Sequence, residues 1–223
     1  MPLILNIETS SIICSVCLAG DGRLIDYRED MQGNSHARVL TVFIEDLMLK
    51  NNLSFQELDA IAVSAGPGSY TGLRIGTSTA KGLCYALNKP LIAVPTLLAM
   101  ANGIMKTVAI PDAAYMPALD ARRMDIYTAV FDINGNELLK TQAVTVNEAF
   151  AEKLKSFSKL VVFGSGAEKC QQIIKAAGVD FIAEINCDAR FMIPLAEERA
   201  LNEQFEDLAY FEPYYLKEFG AKT

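Results

Sequence analysis

One stretch concentrates the chain's candidate chemistry: Gly66-Pro67-Gly68-Ser69-Tyr70-Thr71-Gly72-Leu73-Arg74-Ile75-Gly76. Glycines at this density let backbone N–H groups surround a phosphate. The apolar run before it and the helical pattern after it put it at a strand-to-helix turn, where a helix N-terminus attracts anions. The residue types complete neither nucleotide pattern. No lysine follows a loop glycine, as a Walker loop requires, and Lys81 lies too far along the helix. Thr71 stands where a dinucleotide fingerprint needs its third glycine, and Pro67 has no N–H to offer. Tight-turn geometry is therefore the plainer account of the glycines, with anion binding as the alternative.

Two other groupings invite chemistry. Cys14 and Cys17 form a C-x-x-C, but within an apolar strand residues three apart face opposite ways, so the sulfurs should not converge on a metal or a redox pair. His36 is the only histidine. A zinc hydrolase built on paired histidines is excluded, and no metal site is expected.

Alternating strand and helix signals must position these residues. Leu3–Ile7 and Ile12–Ala19 read as strands, with Gly20-Asp21-Gly22 turning into Leu24–Arg28. Helical spacing predicts helices over Ser35–Leu49, Gly72–Leu87 and Thr96–Met105, and apolar runs predict strands at Asp59–Ser64 and Pro90–Val94. The second half restarts the plan. Tyr115–Leu119 ends at Asp120 as the first strand ends at Glu8, and Ile126–Asp132, a turn at Asn134-Gly135 and Glu137–Lys140 follow. Leu160–Gly164 is a further strand, and Ala167–Ala177 and Pro194–Glu203 are further helices. Two related α/β lobes are expected, each a mixed sheet flanked by helices, at residues 1–106 and 107–223.

The predicted helices raise a question of contact. Gly72, Gly76 and Ala80 recur every four residues, with Thr79 adjacent, leaving one stripe nearly bare of side chain. Glycine costs about 0.5–1 kcal/mol in a helix, so a compensating close approach is expected, from the protein's own sheet or from a partner. In the earlier helix Leu40, Phe43, Ile44 and Leu47 form one face, and Val39, Val42, Met48 and Leu49 extend the apolar surface beyond it. That favours a partner. The candidate partner interface comprises Val39, Leu40, Val42, Phe43, Leu47, Gly72, Arg74, Ile75, Gly76, Thr79, Ala80 and Leu83.

Composition narrows the classes. The 223 residues are 51% hydrophobic and 21% charged, which excludes a disordered chain. A net charge of −7 gives no global field toward nucleic acid or an anionic membrane, so any RNA role needs a partner's basic surface. Five cysteines fit a reducing compartment, no apolar run is long enough to span a bilayer, and the N-terminal segment lacks a basic leader. A cytoplasmic protein is expected.

"LNIETS", "LDAIAVSAGPGSYTGLRIGTSTAKGLCYAL", "LDARRMDIY" and "FEPYYLK" stand in an order and spacing that resemble the TsaB (YeaZ) family over nearly the whole chain. Departures are Glu8 for aspartate, Tyr70 for phenylalanine, Met124-Asp125 for Gly-Glu and Lys217 for arginine. The resemblance implies an actin-like ATPase (ASKHA) fold of two ribonuclease H-like lobes. It also implies a non-catalytic subunit without a cofactor of its own. That subunit would pair with TsaD through helices of the first lobe, be joined by TsaE, and meet tRNA only within the complex. The complex would install threonylcarbamoyl on the adenosine beside the anticodon of tRNAs reading ANN codons. Alone, the same surface would give a homodimer.

The competing reading is a small-molecule phosphotransferase of the same superfamily, binding ATP between the lobes. Glu8, Asp120, Gly164 and Gly166 sit where its phosphate and adenosine contacts would fall. Both Glu8-Thr9-Ser10 and Asp120-Ala121-Arg122 lack the glycine of a phosphate motif, so a vestigial cleft is the preferred reading. Arg122 and Arg123 would contact tRNA or a partner acid, or form a solvated turn. The aromatic tail would stack bases or pack locally.

Overall fold

The computed structural model describes residues 2–33, 35–182 and 185–217. The chain divides into two units. The first holds residues up to Ala99 together with Cys187–Tyr215, and the second holds Met100–Asn186 with Leu216 and Lys217.

In the first unit β1 (Leu3–Glu8), β2 (Cys14–Gly20) and β3 (Arg23–Asp30) form an antiparallel meander. Helix α1 (His36–Lys50) crosses to β4 (Ala60–Ser64), which pairs parallel with β1, and α2 (Tyr70–Leu87) leads to β5 (Leu91–Val94). The strand order is β3-β2-β1-β4-β5. Side-chain alternation divides β1 and β2 between two cores. Leu5, Ile7, Cys14, Val16 and Leu18 join Leu40, Ile44, Leu47, Ala80 and Cys84 beneath α1 and α2. Ile4 meets Met192 and Ala196 on the other face, where Cys17 packs with Ala189 and Ile193. Cys14 and Cys17 therefore do face opposite ways, each buried in a separate cluster. Strands covered on both sides read as continuous apolar runs, which is how β1, β2 and β4 stand in the sequence.

The second unit repeats the plan. Helix α3 (Thr96–Thr107) leads out of the first unit to β6 (Ala114–Asp120). Strands β6, β7 (Asp125–Phe131) and β8 (Glu137–Thr145) are antiparallel. Then α4 (Glu148–Leu154), β9 (Leu160–Phe163), α5 (Ala167–Ile173) and β10 (Val179–Ile182) follow. Strand β9 pairs parallel with β6, and the order β10-β9-β6-β7-β8 mirrors the first sheet. Two mixed sheets flanked by helices, related as an internal repeat, agree with the expected fold.

The expected boundary at 106/107 needs correcting at the C-terminal side. Helix α6 (Ala189–Leu201) packs on the first sheet through Met192, Ile193 and Ala196, and Glu206 bridges to Leu91 of β5. The expected start of α6 at Pro194 also moves. The Asp188 carboxylate accepts the Arg190 N–H at 2.8 Å and caps the helix well before the proline, which lies inside it.

Candidate functional site: a closed glycine loop and an outward helical face

The glycine loop joins β4 to α2, and the chain's own groups fill the space around it. Gly66 adopts φ +95°, and a Cβ there would lie 2.7 Å from the Tyr214 carbonyl oxygen. Its N–H reaches the Thr96 hydroxyl at 3.1 Å, and the next peptide, Gly66-Pro67, is cis. Ser69 caps α2 by accepting the Gly72 N–H at 3.2 Å, while its own N–H donates to the Ser10 carbonyl at 2.6 Å. Three donors that would cradle an anion are thus used internally, the Gly66 N–H by Thr96, the Ser69 N–H by the turn that follows β1 and the Gly72 N–H by Ser69.

That same turn explains the bare stripe. A Cβ on Gly72 would run into the Thr9 carbonyl oxygen, one on Gly76 into the Thr9 hydroxyl, and one on Gly68 into the Ser10 carbonyl. Gly72, Gly76 and Ala80 are buried, as are Leu40 and Leu47 in the core beneath α1. The expectation that these five meet a partner is corrected. The close approach that excuses the glycines comes from inside the first unit, so these residues do not form an outer surface.

The remaining candidates do form one. Helices α1 and α2 lie side by side over the first sheet. Val39, Phe43, Ile75 and Leu83 pack half-buried around the rim of the core they share. Thr79 is half-buried, and Val42 stands 57% exposed. Gly82 was not among the expected residues. A Cβ there meets nothing within 4 Å among the described residues, so its lack of a side chain opens the helix outward. Its signal was the second small-residue stripe, Thr79, Gly82 and Ala86, offset from the first. Arg74 is exposed too, with its guanidinium 4.2 Å over the Tyr70 ring.

The expected cleft residues fall in both units. Glu8 is 1% exposed, and its carboxyl accepts the Ser10 N–H at 2.6 Å. Burial pushes its pKa up despite the opposing hydrogen bonds from Ser10 and Ser64. A carboxyl so enclosed, tied to its own turn, is poorly placed to hold a hydrated metal. In the second unit Asp120 is paired with Lys169 at 2.8 Å, and its N–H reaches the Ser165 hydroxyl at 3.0 Å. Gly164 has φ +105°, and Gly166 donates its N–H to Ala118 at 2.8 Å, so both shape the turn from β9 into α5. Arg122 and Arg123 lie exposed at the β6–β7 turn, both with positive φ. Beside them Lys217 pairs with Asp125 at 2.5 Å and holds its carboxyl below the usual range. His36 is buried, with Nε2 3.0 Å from the Ser11 carbonyl.

Two mixed sheets of the same repeated topology define the two-lobed actin-like ATPase class. An inorganic polyphosphate/ATP-glucomannokinase from Arthrobacter shares that fold at a TM-score of 0.53 and 10% identity, over 91% of this chain and 100% of that one. YeaZ from Pseudomonas aeruginosa superposes with a TM-score of 0.83 at 24% identity, over 97% of this chain and 100% of its own. A family model described as "TsaD: tRNA N6-adenosine threonylcarbamoyltransferase" matches residues 30–223. Two proteins named "tRNA threonylcarbamoyladenosine biosynthesis protein TsaB" are similar in sequence. The Escherichia coli protein is 29% identical over 87% of this chain and 83% of its own, and the Bacillus subtilis protein 33% identical over 72% and 69%. The chain belongs to this TsaD-related family, on its TsaB (YeaZ) branch.

Proposed function

We propose that the chain acts in tRNA threonylcarbamoyladenosine biosynthesis as a non-catalytic, cytoplasmic subunit that pairs with a TsaD-type catalytic relative and supports TsaE joining the pair. The observation that carries the non-catalytic reading is the closed loop. Ser10 and Thr9 occupy the space over the α2 N-terminus, and Glu8 is sealed beneath them. The outward face of Val39, Val42, Phe43, Ile75, Thr79, Gly82 and Leu83 supports pairing. It couples apolar side chains to an open glycine where another backbone can come close. In the absence of that relative the same face would join two copies of this chain.

Co-expression with a TsaD homologue tests the reading, followed by threonylcarbamoyl transfer to tRNA with and without this chain. Transfer that needs this chain, with none by the chain alone, is the expected result. Transfer by the chain alone, or full transfer without it, would overturn the proposal. The phosphotransferase reading predicts calorimetric binding of ATP with magnesium that Glu8→Gln and Asp120→Asn abolish. The internal bonding of both carboxyls argues against that outcome.

A further inference from the structure

A groove of about 360 Å³ follows the side of α2 that carries Arg74, Thr77, Ser78 and Lys81. These positions fall on one helical face across two turns, about 10 Å. Phe211, Glu212, Pro213 and Tyr215 of the C-terminal segment form the facing wall. Every side chain on the helical floor can donate a hydrogen bond. Arg74 is set in place by the Tyr70 ring and a side-chain hydrogen bond with Tyr215, and the two tyrosine rings lie 5.0 Å apart. Lys81 Nζ donates to the carbonyls of Ala209 at 3.3 Å and Phe211 at 3.1 Å, which fixes the second cation at the other end. Between them Thr77 is 6% exposed, and its hydroxyl has no hydrogen-bond partner among the described residues. A buried hydroxyl lining a groove without a partner is where a ligand oxygen fits.

We infer that this groove binds a nucleoside phosphate, its phosphate set between Arg74 and Lys81 against Ser78 and Thr77, and its planar base on the Phe211–Tyr215 wall. Three terminal oxygens can accept from all four donors, which the two oxygens of a carboxylate cannot do with the same geometry. The volume is in the range of small-ligand sites, about 300–1,000 Å³. Glu212 is the one carboxylate in the lining, and it opposes the phosphate. Its removal should strengthen binding. The source of the nucleotide is either a free mononucleotide or a phosphorylated RNA end.

Calorimetry on the full chain with AMP, adenosine, inorganic phosphate and a 5′-phosphorylated trinucleotide tests the inference. AMP or the trinucleotide should bind at least about tenfold more tightly than adenosine. Arg74→Met should weaken that binding about tenfold and Glu212→Gln should strengthen it about threefold, with unchanged thermal unfolding in both variants. AMP binding equal to that of the trinucleotide identifies a free mononucleotide; tighter binding of the trinucleotide identifies an RNA end. Absence of saturable binding by either, binding no tighter than adenosine's, or binding unmoved by both substitutions would overturn the inference.

Discussion

The Thr9 hydroxyl occupies the position that a Cβ on Gly76 would take, so the glycine stripe of α2 is shaped by the turn after β1. Gly76→Ala should therefore destabilise the first unit by about 1–3 kcal/mol, although alanine is the better helix former. Thr9→Ala should recover most of that loss, because the clash is with a side chain. Gly72→Ala should show no such recovery, since its obstacle is the Thr9 backbone carbonyl. Urea unfolding of the single and double variants checks this, and independent, additive effects would refute it.

Glu8 makes stability depend on pH in a definite direction. Burial raises its folded-state pKa, so the folded chain holds the proton more tightly than the unfolded chain. Its stabilising contribution is whole below the ordinary glutamate value and declines as pH rises through the folded value. Glu8→Gln should flatten that decline from about pH 4 upward. Parallel stability curves for the two proteins would show that the carboxyl carries no such proton.

The outward helical face should be separable from the fold. Val42→Asp changes an exposed side chain, and Gly82→Leu adds atoms to open space. Both should leave unfolding within about 0.5 kcal/mol of the parent while abolishing co-elution with a TsaD homologue. Co-elution of both variants at parental strength would remove the face from the interface.

Lys217 clamps the β6–β7 turn through Asp125 and the Ala121 carbonyl. Its ammonium is the main cause of the low Asp125 pKa, followed by the Thr145 hydroxyl. A depressed carboxyl contributes stability above its unfolded value, and that contribution is lost as pH falls through the folded value. Lys217→Met should therefore reduce stability at neutral pH and shift acid unfolding toward higher pH. Identical acid transitions in the two proteins would rule the clamp out.

The sequence carried the duplicated strand plan because β1, β2, β6 and β7 combine apolar runs with glycine and acidic punctuation. It also showed which residues share a stripe on α2. Direction was the missing quantity: whether Gly72 and Gly76 face in or out depends on Thr9, more than sixty positions away, and no local period records that approach. The same limit hid the return of Cys187–Tyr215 to the first unit. Helix α4 and strand β10 were missed for a different reason: α4 buries Phe150 and Leu154 alone, and β10 is an edge strand whose apolar run is broken by the exposed Asp180. For α4 the signal was Asn147, whose side chain caps the helix at the Phe150 N–H, 2.9 Å away. On α1 the outward position of Val42 was legible because apolar side chains extend past the core-facing stripe, although Met48, read into the same extension, is buried in the core.

The placement of α6 governs the order in which a nascent chain can finish folding. Ile4, Ala60, Ala62, Ile92 and Val94 are available early in translation, yet Met192 and Ala196 cover them only after the whole stretch from Met100 to Asn186 has emerged. Until then Ala99 of α3 is the only earlier helical residue of that cluster among the described residues, so most of this face of the first sheet stays open to water while the intervening unit already has its own strands to pair.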